Sequence, residues 1–156
     1  MSWRKSKLMK STLTVTLVLF ACVAFAQSTP NDGIRAAVLD YVEGFYEGDT
    51  VKLKRSVASN LYKYGYWRDA KTNKYAGEPM TFREAVDYSK GVMAKKRFAK
   101  ADAPKTIVIL DEEEQVAAAK LTAWWGIDYL LLAKKDGKWM IEQVLWQGPL
   151  ETIKKL

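Results

Sequence analysis

Ile127-Asp128-Tyr129-Leu130-Leu131-Leu132-Ala133-Lys134-Lys135-Asp136-Gly137-Lys138-Trp139-Met140-Ile141-Glu142-Gln143-Val144-Leu145-Trp146-Gln147 is the stretch whose reading decides the fold. Asp-Gly supplies the positive φ angles of a tight hairpin turn, so Trp139 to Gln147 folds back on Ile127 to Lys134. With that turn centred, Lys134 faces Trp139, Leu132 faces Ile141, Leu130 faces Gln143 and Asp128 faces Leu145, because directly opposed residues share one side of a sheet. The other side carries Ile127, Tyr129, Leu131 and Ala133 against Met140, Glu142, Val144 and Trp146. That second side is too apolar to stand in water. Both sides are therefore expected to be covered, the first by helices of the same chain around a pocket and the second by another copy of the sheet.

Upstream, Ile34, Ala37, Val38, Tyr41, Val42 and Phe45 recur at helical spacing, with Thr29-Pro30-Asn31-Asp32 as the start and Gly48 as the stop. Asp49-Thr50 caps a second, short helix through about Arg55, with Val51 and Val57 turned inward. Leu61 to Arg68 alternates as a strand with Tyr62, Tyr64 and Tyr66 on one side, and a polar turn leads to a short strand at Tyr75. Thr81-Phe82-Arg83-Glu84 is a capping box that opens a helix with Phe82, Ala85, Val86, Ser89, Val92 and Met93 inward. Lys95, Lys96 and Arg97 complement the dipole at its far end. Strands at Thr106 to Leu110, Val116 to Trp125, Ile127 to Lys134 and Trp139 to Gln147 then form a meander. Helices, hairpin, helix and meander in that order read as α+β.

The chain opens with Arg4, Lys5, Lys7 and Lys10, continues through an apolar run from Leu13 to Phe25, and reaches Ala24-Phe25-Ala26. That is the pattern of a secretory signal peptide over residues 1–26, with Met9 as an alternative start. Leu19-Phe20-Ala21 before Cys22 is a poorer match to a lipoprotein site than Ala-x-Ala is to simple cleavage. The expected division is signal 1–26, one domain 27–148 and a tail 149–156, periplasmic or secreted, with no stable membrane span after signal removal. Removing 26 of the 156 residues leaves 130, and it removes four of the 25 basic residues but none of the 18 acids, so the charge falls from +7 to +3. So small a balance gives no footprint for nucleic acid. Histidine is absent throughout, and Cys22 is the only cysteine. Imidazole and thiolate metal sites, Ser-His-Asp and Cys-His catalysis are excluded on that ground, and neither cofactor nor metal is expected.

Asp40-Tyr41-Val42-Glu43-Gly44-Phe45-Tyr46-Glu47-Gly48-Asp49, together with Asp128-Tyr129-Leu130-Leu131-Leu132 and Asp136-Gly137-Lys138-Trp139, resembles the putative lumazine-binding family of the nuclear transport factor 2-like (SnoaL/ketosteroid isomerase-like) superfamily. The resemblance spans about Asn31 to Gln147. It implies a cone-shaped domain whose bent, mostly antiparallel sheet wraps around helices, leaves a pocket at the open end and packs sheet to sheet in dimers. The superfamily also includes isomerases, dehydratases and association domains, so fold alone does not choose among them.

Asp128 is the first candidate site residue, a carboxylate on the helix-facing side that needs a partner or a raised pKa. A structural role, held by backbone amides or an arginine, is the alternative to acid-base work. Tyr64, Tyr66, Arg68, Trp124, Leu130 and Gln143 complete the expected ligand-binding set, the rings for stacking and Arg68 for an acidic group. Tyr129, Leu131, Val144 and Trp146 are the expected dimer face, with Glu142 in need of a partner, and Trp139 is expected in the core. The leading expectation is an exported, homodimeric domain that binds a small organic ligand. The alternatives are an isomerase or dehydratase using Asp128 and a tyrosine, and a non-catalytic association module.

Overall fold

A computed structural model describes residues 31–150, so the expected signal segment, Thr29, Pro30, Cys22 and the tail beyond 150 lie outside the described residues. Helix α1 (Asp32–Tyr46) is followed by α2 (Thr50–Ser56), β1 (Val57–Arg68), β2 (Tyr75–Met80), α3 (Phe82–Ala94), β3 (Thr106–Glu112), β4 (Val116–Ala123), β5 (Gly126–Lys135) and β6 (Lys138–Gly148). The strands form one six-stranded sheet in the order β2-β1-β6-β5-β4-β3, antiparallel throughout except where β1 runs parallel to β6. The α+β reading holds.

Local chemistry sets the element ends. Asp49 Oδ1 accepts the backbone N–H groups of Val51 and Lys52 at 2.8 and 3.1 Å, which starts α2. At α3 the Thr81 side chain accepts from Glu84 N while Glu84 Oε2 accepts from Thr81 N, so the capping box is complete. Asp136 and Gly137 hold φ of 49° and 76°, the pair of positive angles that a tight turn between right-twisted strands requires. Two inward expectations fail: Val51 and Met93 are exposed, because each sits on the solvent side of its short helix.

The helices cover one face of the sheet, and the core lies between them. Ile34, Val38, Tyr41 and Val42 from α1 meet Leu121, Leu130 and Ile141 from the sheet, all fully or almost fully buried. Each such aliphatic side chain contributes about 1.5–3 kcal/mol relative to exposure. Ser89 Oγ donates to Gly44 O at 2.7 Å and ties α3 to α1 in the same layer.

The expected hairpin register is right near the turn and wrong beyond it. Lys134 pairs with Trp139 and Leu132 with Ile141, but Leu131 then pairs with Gln143, Leu130 with Val144, Tyr129 with Leu145 and Asp128 with Trp146. Glu142 is the extra residue of a β-bulge, and since side chains alternate, one added residue exchanges the faces of everything after it. Gln143 and Leu145 thus point outward, while Val144 enters the core and Trp146 the helix side. Val144 and Trp146 are accordingly not on the outer face expected for them, whereas Tyr129 and Leu131 are. Glu142 is paired with Lys135.

The same register locates the tyrosines. Tyr62, Tyr64 and Tyr66 align with Gln143, Leu145 and Gln147 on the outer face, and Leu61, Lys63 and Gly65 turn toward the helices. The Trp146 indole lies over Gly65, where an added Cβ would stand 1.8 Å from the ring. Gly65→Ala should therefore lower stability by about 1–3 kcal/mol, the usual cost of overpacking, measured as a shift in urea midpoint. An unchanged midpoint would mean that the indole is not held there.

Candidate functional site

Asp128 is fully buried, yet every demand of its carboxylate is met. Tyr41 Oη donates to Oδ2 at 2.7 Å, Trp125 Nε1 donates to Oδ1 at 2.7 Å, and Lys63 Nζ stands 3.7 Å from Oδ2. Lys63 in turn donates to Tyr41 Oη at 2.8 Å. Four residues from α1, β1, the β4–β5 turn and β5 thereby close one buried polar cluster. An ammonium–carboxylate pair in such a place is nearly neutral for stability while intact, and costly once halved.

Electrostatics follow from the burial. Desolvation pulls the Lys63 ammonium below its ordinary pKa, against the opposing attraction of Asp128. Burial, and then the charge of Asp128, push the Tyr41 phenol well above its usual value. The Lys63 charge is also surrounded by rings, with the centroids of Trp146, Tyr41 and Phe45 at 5.4, 5.5 and 5.9 Å from Nζ.

Lys63 forms part of the wall of a cavity of about 710 Å³ between the sheet, α3 and the segment 95–105. Phe45, Tyr88, Phe98, Trp124, Trp125 and Trp146 supply most of its aromatic surface, and Glu78, Arg97, Lys100 and Asp102 its other charges. Segment 95–105 is held in place by Tyr46, whose hydroxyl donates to Pro104 O at 2.6 Å and accepts from Trp124 N at 2.9 Å. Ala99 N donates to Tyr46 O at 3.0 Å, and Lys105 pairs with Glu43 at 2.8 Å. The wall is therefore fixed to α1 and to the β4–β5 corner.

Of the expected ligand-binding residues, Trp124 lines this cavity. Tyr64 and Tyr66 lie on the opposite face of the sheet, because the strand places Lys63 and Gly65 inward. Gln143 is also on that face, displaced by the bulge. Arg68 stands over the Tyr75 ring at the end of β1, 5.9 Å from its centroid. Leu130 belongs to the core, and Asp128 is behind the cavity wall rather than in it. Both carboxylate oxygens of Asp128 are already engaged, and the hydroxyl that meets them belongs to Tyr41. Trp124 and Trp125 occupy the β4–β5 turn, and both face the cavity.

Sequence reasoning missed Lys63, Trp125, Trp146 and the 97–104 wall. The available signal was a lysine in the inward series Leu61-Lys63-Gly65 of an otherwise apolar strand. Among the described residues no three carboxylates, histidines or cysteines converge as metal ligands, and no helix is long and apolar enough to cross a membrane.

A bent sheet around three helices with a cavity at one end is the nuclear transport factor 2-like fold, shared with several solved proteins. A nuclear transport factor 2-like protein of unknown function from Methylobacillus flagellatus KT is 20% identical, with TM-score 0.59 over 78% of this chain and 94% of the other. A similar protein of unknown function from Silicibacter pomeroyi DSS-3 is 16% identical, with TM-score 0.55 over 73% and 91%. A nuclear transport factor 2-like protein from Cytophaga hutchinsonii ATCC 33406 is 10% identical, with TM-score 0.54 over 78% and 100%. The chain belongs to the family described as putative lumazine-binding, whose model matches residues 29–147. No curated protein matches it.

Asp128→Ala removes one partner each from Lys63, Tyr41 and Trp125. It should cost about 3–5 kcal/mol in urea unfolding, the penalty for leaving a buried charge alone. A loss within experimental error would show that the cluster carries no such penalty.

Proposed function

We propose that this domain is an exported, dimeric binder of a small planar organic molecule, which it holds in the cavity beside Lys63. The observation that carries the reading is an ammonium set in the wall of an otherwise aromatic cavity. An ammonium has three protons, and Tyr41 and Asp128 engage at most two of them. The remaining proton suits a carbonyl or carboxylate on a ligand whose ring stacks against Trp125 or Trp146. A volume near 710 Å³ falls within the range of small-molecule sites, about 300–1,000 Å³. Lumazine, the bicyclic dicarbonyl of the family description, has the required shape and acceptors and is the first compound to try.

Dimerisation is supported by the outer face, where Tyr62, Tyr129, Leu131 and Leu145 are all more than half exposed. A sheet face so apolar is a surface for association. The signal pattern of residues 1–26 supports export. An isomerase or dehydratase using Asp128 has less support, because the carboxylate is enclosed by its partners and does not line the cavity.

Native mass spectrometry of protein taken from its own compartment should show two chains, each beginning at Gln27, with a small molecule retained. A single chain at micromolar concentration would remove the dimer, and a mass that includes residues 1–26 would remove export. Titration with lumazine should quench tryptophan fluorescence, and Lys63→Met should weaken the affinity about tenfold, the value of one hydrogen bond of roughly 1.4 kcal/mol. Equal affinity in the folded variant would sink the role given to Lys63.

A further inference from the structure

The hydrogen bonds of Lys63 do more than anchor it. Lys63 Nζ donates to Tyr41 Oη, and Tyr41 Oη donates to Asp128 Oδ2, so the three groups form a directed relay of 2.8 and 2.7 Å steps. Moving one proton along each step turns the ammonium into an amine and the carboxylate into an acid, and leaves the phenol unchanged. The product is a neutral amine in a cavity walled by rings, with only 6% of the side chain exposed. Desolvation favours that direction, because it penalises the charged form of the lysine. A lysine freed of its proton in apolar surroundings is a nucleophile toward carbonyl carbon.

We propose that Lys63 forms a reversible imine with an aldehyde or unhindered ketone attached to a planar ring, making the cavity a site for carbonyl compounds. The proposal rests on the cavity-binding reading above and names its ligand class. The Nζ lone pair attacks the carbonyl carbon, forming the C–N bond as the carbonyl π pair moves to oxygen. A proton passes from nitrogen to that oxygen to give the carbinolamine. The proton stored on Asp128 returns through Tyr41 to the hydroxyl, the C–O bond breaks, and water leaves while the nitrogen lone pair completes the C=N bond. One ammonium and one carbonyl compound thus give one iminium and one water, with nothing oxidised or reduced. The iminium is again a cation beside the Asp128 carboxylate and among the rings of Trp146, Tyr41 and Phe45, so the charge balance of the cluster is restored. The other titratable groups of the cavity, Glu78, Tyr88, Arg97, Lys100 and Asp102, make no ion pair or hydrogen bond with Lys63, Tyr41 or Asp128.

The experiment treats the folded protein with benzaldehyde and cyanoborohydride at neutral pH, which fixes any iminium as a benzylamine, and locates the label by peptide mapping. Lys63 should be labelled several-fold faster than Lys100, an exposed lysine of the same cavity, because its proton has the Tyr41–Asp128 relay to leave by and desolvation disfavours its charged form. Tyr41→Phe, which interrupts the relay and keeps the ring, should slow labelling at Lys63 without changing it at Lys100. Benzyl alcohol, which has the ring but no carbonyl, separates the two ideas through tryptophan quenching. Quenching by both compounds, with label on Lys100 and other exposed lysines but not on Lys63, would overturn the imine and leave the binding reading intact. Absence of both quenching and Lys63 label would remove the two together.

Discussion

A charge pair buried between sheet and helices, with Lys63 at the cavity wall, is the constraint around which the rest is arranged. Lys63 and Asp128 come from strands β1 and β5, which are not neighbours but are separated by β6, and Tyr41 reaches them from the helix layer. No element of this set can move alone without leaving a polar group unpaired in a low-dielectric interior, where that costs several kcal/mol. The cluster therefore fixes the height of α1 above the sheet, and through Trp125 it also fixes the β4–β5 corner. Because Tyr46 on the next turn of α1 binds that corner and Pro104, the cavity wall inherits the same reference point.

Much of this was legible in the residues. The two apolar periodicities gave helices and strands near their observed limits. Thr81 with Glu84, and Asp136 with Gly137, marked their local structures because short-range hydrogen bonding and backbone angles settle them. Trp139 was correctly placed in the core, and Tyr129 and Leu131 on the outer face. Asp128 was correctly directed toward the helices, since unbroken alternation along β5 keeps it in series with Leu130 and Leu132.

What escaped notice depends on contacts distant in sequence. The bulge at Glu142 shows only in how β6 pairs with β5, and nothing adjacent in the chain announces it, so a straight register sent Val144, Trp146 and Gln143 to the wrong faces. The parallel placement of β1 beside β6 is equally non-local, and it decides which side of β1 faces the helices. Aromatic rings looked like the natural lining of a pocket, which drew attention to Tyr64 and Tyr66. The inward residue between them, Lys63, was the chemically telling one. Buried lysine is rare enough that composition alone argues against it, and only the partner carboxylate makes it acceptable.

The strand order has a consequence for how the domain comes into being. β6, the latest strand in the chain, lies in the interior of the sheet, with β1 and β2 on one flank and β5, β4 and β3 on the other. A nascent polypeptide still lacking residues 138–148 holds two sheet fragments with no seam between them, however well each has formed. Cooperative closure must wait until synthesis has passed that point, and until then the chain stays pliable enough to be threaded, bound by a chaperone or degraded.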